Sequence, residues 1–276
     1  MAETRTDVGR GPQRRSPAVP RGLTGDVRSD WADLGAPTGA PARFEVEMTA
    51  ALPEPARRWL THAIAPGTPL LTSVELVTHG QIRLGAWRGF TATQRMSAAR
   101  GFVWAATARM TGLPFMGLPV TGFDRYTRYT GEMRWMLLGA VPVQTATGLD
   151  VTRSAAGRHA AEMLVLLPAA GLSPQVKWRS LDADRAVARI KVGSGFHEVT
   201  LTVAASGALT SMTMSRWGAT TKGSFAERVF GADLGAEATF DGFTVPRAVT
   251  AGWEHGTAGW PQGQFIRYTI DSANYR

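Results

Sequence analysis

The sequence predicts an α+β fold: a curved antiparallel β-sheet, a half-barrel, wrapping two or three helices. Two observations point there and a third excludes the main rival. From Ser73 onward, short alternating apolar runs punctuated by Gly and Pro dominate the chain. Stretches beginning at Pro53 and Ser154 instead space their apolar residues for a helix. The strand–helix–strand alternation of a doubly wound nucleotide fold is missing.

In chain order, residues 1–45 carry five Pro, six Gly, seven Arg and six acids, with few large apolar groups. Such a segment buries too little surface to offset its ordering entropy, so it reads as a disordered tail. The alternative is a docking arm around Trp31 and Leu34. Residues 46–276 then form a single domain, long enough for a sizeable core. In ALPEPARRWLTHAI, Pro55 suits a first helical turn, Glu54 suits the positive helix end, and Trp59, Leu60 and Ile64 form a stripe. Pro66-Gly67 stops that helix. In RGFVWAATARM, Phe102, Trp104, Ala106, Ala108 and Met110 share one strand face.

Strand candidates follow at 126–129 and 132–138, broken by Gly131. A second helix, SAAGRHAAEMLVLLP, is capped by Ser154 and ended by Pro168. Beyond it Ala188, Ile190 and Val192 alternate with Arg189 and Lys191, and Ser206-Gly207 and Asp241-Gly242 read as hairpin turns. The last strands are TVPRAVTAGW and GQFIRYTI. The reading gives nine to eleven strands, with the second helix lying in the concave face.

Composition narrows the function. The chain has no Cys, which excludes disulfides, thiolate metal sites and a catalytic thiol. Its five His lie on different elements, so no metal centre and no cofactor are expected. A net charge of +8 comes from dispersed arginines without a run of four, unlike a nucleic-acid binder. The longest apolar run, 163–172, is half of the about 20 residues a membrane span needs. The opening residues lack an apolar signal core, so a cytoplasmic protein is expected. Oligomeric state is left open.

The run GFDRYTRYTGEMRWMLLGAVPVQTATGLDVTRSAAGRHAAEMLVLLPAA resembles the central signature of an uncharacterised bacterial family. That signature pairs G-x-D-x-Y and G-x-M with a later R-x-x-x-E helix ending in Pro. LPEPARRWL, FVWAA, Trp178 and the G-x-x-x-P of Gly242–Pro246 fit the same family, over roughly residues 50–275. The family pattern has Arg where this chain has Phe123. The strand-rich second half is also similar to the lipoprotein-carrier half-barrels of bacterial envelopes. That likeness implies a curved sheet enclosing an apolar cavity for lipidic ligands.

The candidate site residues are acidic and aromatic. Asp124 opens a strand, and Glu132 and Arg134 share a strand face with Met136 and Leu138. Arg158 and Glu162 are neighbours, four apart on one helix. Trp104, Trp178, Trp217 and Trp253 offer broad apolar walls with a polar N–H, and Arg216 stands beside Trp217 as a polar handle. Met133, Met212 and Met214 suit irregular gaps.

Two functions fit. One is a module binding a hydrophobic small molecule (lipid, terpenoid or polyketide-like), with Arg158, Glu162 or Arg216 fixing its polar end. The other is a cofactor-free cyclase or isomerase of natural-product type, using Asp124 and Glu132 as acids.

Overall fold

The alternation starting at Ser73 builds one antiparallel sheet of 13 strands in a computed structural model that describes residues 18–36, 39, 41–110, 117–220 and 223–276. The strands are β1 (Ser73–Leu84), β2 (Ala86–Ser97), β3 (Gly101–Arg109), β4 (Pro119–Thr127), β5 (Thr130–Leu137) and β6 (Val141–Ala146). After a long helix come β7 (Lys177–Ser180), β8 (Arg185–Val192), β9 (Gly195–Val203), β10 (Leu209–Ala219), β11 (Phe225–Phe240), β12 (Phe243–Trp253) and β13 (Gln264–Tyr275). The helices are α1 (Gly25–Leu34), α2 (Glu54–Ala63), α3 (Leu149–Leu166) and the single turn α4 (Trp260–Gly263).

The sheet runs β6-β5-β4-β3-β2-β1-β13-β12-β11-β10-β9-β8-β7, so the chain's first and last strands meet at its centre. Their seam pairs Val74 with Tyr275 and Ile82 with Ile266. Both outer strands, β6 and β7, are short, and β6 is exposed along nearly its whole length. Without buried alternation they carry no strand signal, which is why the sequence reading stops short of 13.

Curvature follows from α3. This helix packs against β4 and β5 and also against β8, β9 and β10. From β5 to β10 is eight strand steps, about 38 Å across a flat sheet. A helix is only about 10 Å in diameter, so the sheet must bend around it. Ala160, Ala161 and Leu164 of α3 and Trp59, Leu60 and Ala63 in α2 seal the inner core. Pro55 sits in the first turn of α2, as its sequence predicts.

Helix α3 begins at Leu149, five residues ahead of the expected start, with Gly148 at its N-cap in a left-handed conformation (φ 101°). Ser154 is therefore inside the helix and caps nothing; its carbonyl accepts a hydrogen bond from Arg216 Nε at 3.1 Å. The signature glycines allow close approaches. A Cβ on Gly131 would lie 2.7 Å from the Thr152 backbone, so Gly131 lets α3 settle onto β5. A Cβ on Gly122 would fall 2.5 Å from the Trp135 ring, so its absence makes room for that indole.

The expected N-terminal tail is corrected for residues 25–34, while residues 1–17 lie outside those described. Val27, Trp31 and Leu34 of α1 are buried against Val103, Ala105 and Phe123 on the convex face of the sheet. Composition over 45 residues hid this: three well-spaced apolar residues suffice when a sheet face supplies the partner surface. The docking is also ionic. Asp30, 3% exposed, accepts from Arg125 Nη1 and Thr127 Oγ1, both at 2.6 Å, and pairs with Arg128 at 3.1 Å. Arg128 and Tyr129 form the β4–β5 turn with positive φ (50° and 61°), a strained choice for residues with side chains.

Replacing Asp30 by Ala removes the acceptor of the buried Thr127 hydroxyl and one of the three carboxylates on Arg125, which keeps Asp26 and Glu132. The expected loss is on the order of 2–4 kcal/mol in urea unfolding, with faster hydrogen exchange across residues 25–34. Unchanged exchange there would show that Asp30 does not hold the helix.

Candidate functional site

Strand pairing sets four inward side chains in a row. Gln94 of β2 stands opposite Trp104 of β3, Trp104 opposite Asp124 of β4, and Asp124 opposite Met133 of β5. Across this row α3 lays Arg158 and Glu162, one helical turn apart. Arg158 Nε donates to Glu162 Oε1 at 2.6 Å and its Nη1 donates to Asp124 Oδ2 at 3.0 Å. Gln94 Nε2 donates to the other Glu162 oxygen at 2.7 Å. The Arg158 guanidinium also lies 4.6 Å from the Phe102 ring centre and 5.4 Å from that of Trp104.

Aromatic side chains wall this polar floor. Trp104 packs 5.8 Å from both Phe90 and Trp135. Across the hollow, Trp253 meets Phe230 at 5.3 Å, and Arg216 lies 4.6 Å from Phe230 and 5.3 Å from Trp253. Arg158, Asp124 and Glu162 keep 17%, 21% and 22% of their side-chain surface accessible, although aromatic groups flank them. Met133, Trp253, Phe265, Ile266 and Tyr268 are likewise only partly buried. Water-accessible surface therefore borders the charged trio, and this aromatic-walled margin above α3 is the cup.

Burial dominates the electrostatics. It pushes the Asp124 carboxyl up, against the pull of Arg158 and a weaker one from the Trp135 indole N–H, and Asp124 Oδ1 makes no well-aligned hydrogen bond. It works against the charge of Arg158 too, but Glu162 and Asp124 more than offset this and hold that guanidinium above its usual range. Burial and then the like charge of Arg158 push Arg216 down to about 10. The Tyr268 hydroxyl is raised by burial, with Glu162 adding to the effect.

The candidates thus separate. Trp104, Asp124, Arg158, Glu162, Arg216 and Trp253 gather on the concave side. Glu132 does not. Strand alternation turns it to the convex face under α1, where it holds Arg125 at 2.6 Å and Arg134 at 3.0 Å. Trp178 packs 5.9 Å from Trp59 and donates its indole N–H to the Gly171 carbonyl, fastening α2 rather than lining the cup. Trp217 donates to Asp150 at 2.8 Å and stacks under Arg153. It borders a separate open cleft of about 2060 Å³ on the other flank of α3, where Arg153–Glu227 and Arg128–Asp33 pairs satisfy each other. Gln94 and Tyr268 were missed; strand alternation alone could have put Gln94 on the inner face.

His159 was missed as well. It faces that cleft from α3, yet is 2% exposed, with Nε2 on the Ala98 carbonyl at 3.2 Å and Nδ1 unpartnered. Desolvation lowers it to about 4. Among the described residues no three His, Asp or Glu side chains converge as metal ligands would, and no helix is long and apolar enough to cross a membrane.

Fold and site together define an open half-barrel with an aromatic cup and an ionic floor. Residues 42–265 match the family of unknown function DUF6544, and the chain belongs to that family. The match spans both signatures and begins after α1. No curated protein matches the chain significantly. Among solved structures, a putative outer membrane lipoprotein-sorting protein domain from Vibrio parahaemolyticus is similar at TM-score 0.40 and 7% identity, covering 84% of this chain and 92% of that one. A LolA superfamily protein from Nitrosomonas europaea is similar at TM-score 0.37 and 9% identity, with 80% and 93% covered.

Because the unfolded chain binds a proton at His159 near pH 6.5 and the folded chain only near 4, that residue's contribution is full above pH 6.5. It is lost as pH falls toward 4. The loss amounts to about 3 kcal/mol. Urea unfolding between pH 7 and 4 is expected to show a shallower decline in His159→Gln; an identical decline places the titration elsewhere.

Proposed function

We propose that the protein binds a hydrophobic small molecule with one polar end, its apolar body against Trp104, Trp253 and Ile266 and its polar end in the charged group formed by Arg158, Asp124, Glu162 and Arg216. The observation that supports this reading is the accessible ion-pair trio inside an aromatic wall. Charged groups are costly to shield unless paired, and an arrangement that shields them while leaving neighbouring space suits a ligand that brings both apolar surface and a hydrogen-bonding group. Lipids, terpenoids and polyketide-like molecules share that chemistry.

A second reading keeps Asp124 as an acid for cyclisation or isomerisation. In its favour are an Oδ1 without a well-aligned hydrogen bond and the raised carboxyl beside Trp104. It loses the second acid, because Glu132 lies across the sheet.

Titration with the uncharged probe N-phenyl-1-naphthylamine is expected to quench Trp fluorescence at a single saturable site. Trp253→Ala should weaken that binding about tenfold or more. Native mass spectrometry without any co-purifying small molecule, together with no quench by a panel of lipophiles, would rule the binding role out.

A further inference from the structure

Arg216 is a buried cation, 9% exposed, and among the described residues no carboxylate lies within ion-pair distance of it. Its hydrogen bonds go from Nε to the Ser154 carbonyl at 3.1 Å and from Nη2 to the Ser154 hydroxyl at 3.3 Å, both uncharged acceptors. Arg95, Arg125 and Arg158 are shielded too, and each meets a carboxylate within 2.6 Å. Arg216 is also paired directly across the strands with Arg228, and like charges in that position repel. Both guanidiniums sit on Trp253, at 5.3 Å and 4.9 Å from its ring centre. Glu254, at 2.9 Å, neutralises Arg228 alone.

The wider cup does not supply the missing charge. Asp124 and Glu162 are both engaged by Arg158, and burial drives Asp124 toward its neutral form. The cup therefore holds two guanidiniums, and both of its carboxylates lie against Arg158 rather than Arg216. An uncompensated buried cation is expensive, and a planar fork with a free Nη1 edge matches a carboxylate or phosphate.

Resting on the binding role above, we propose that the ligand is an anionic amphiphile with one carboxylate or phosphate, and that Arg216 is the counter-ion which selects it. The head group lies against Arg216 beside Trp253, and the apolar body runs along the aromatic wall toward Trp104. Arg158 stays with its own carboxylates.

The test compares monomeric dodecanoate and dodecyl phosphate with dodecanol, read by Trp fluorescence on the full chain at pH 7.5. At least one anion is expected to bind about tenfold or more tightly than the alcohol. Arg216→Gln should erase that preference while leaving dodecanol affinity within about twofold, and Arg216→Lys, which keeps the charge, should retain it. Equal wild-type affinities for all three overturn the proposal whether or not any variant folds, and leave the binding role standing. A preference that persists in Arg216→Gln also overturns it. Failure of all three probes, dodecanol included, removes the binding role and this proposal together.

Discussion

A sheet that does not close on itself has to bury its inner face against something else, and here one helix bears most of that requirement. Helix α3 reaches from β4 and β5 to β8–β10, so its width sets how tightly the sheet bends. Small residues make this possible: Ala156, Ala160 and Ala161 bring the helix close, and Gly131 admits its first turns against β5. The same helix then carries Arg158 and Glu162 into the hollow. Structure and candidate site therefore share one element, and the site cannot shift without the sheet changing its curvature.

Strand β4 shows how alternation divides labour. Asp124 points inward to Arg158, while its neighbour Arg125 points outward to Asp30 and Glu132. Two buried ionic clusters thus sit back to back, separated by one thickness of backbone. The inner cluster borders accessible space among aromatic groups. The outer one is sealed by α1, and each of its charged groups has an opposite partner: Asp30 and Glu132 meet Arg125, Arg128 and Arg134. Polar groups that satisfy one another hold parts together, and at the margin of the inner cluster the Arg216 guanidinium meets only uncharged acceptors.

Much of this was legible in the sequence, for identifiable reasons. Period-two alternation in 102–110 placed Trp104 on the inner face, and i,i+4 spacing made Arg158 and Glu162 neighbours. Glu132 misled because its run has apolar groups on both faces: Met133 and Trp135 line the inside, and Met136 gave the outer face the look of an inner one. Helix α1 was glimpsed only in the alternative of a docking arm around Trp31 and Leu34, because ten residues with three large apolar groups carry little signal of their own; their stability comes from Phe123 and Val103, far away in sequence. Arg216 was read beside Trp217, yet its true partners, Phe230 and Trp253, come from other strands. Tertiary pairing of that kind is invisible to local pattern.

The seam between β1 and β13 gives the sheet a particular timetable during synthesis. Strands β1 to β6 can zip in sequence as they emerge, and so can β7 to β13, because neighbours in the chain are neighbours in space. The two halves, however, join only through residues about two hundred positions apart, such as Glu75 and Asn274. Until β13 has emerged and paired, β1 presents an open edge with Val74 and Leu76 beside it. Such delayed, long-range pairing folds slowly and leaves sticky margins exposed. A nascent chain halted just short of β13 would hold two half-built sheets with no backbone bond between them.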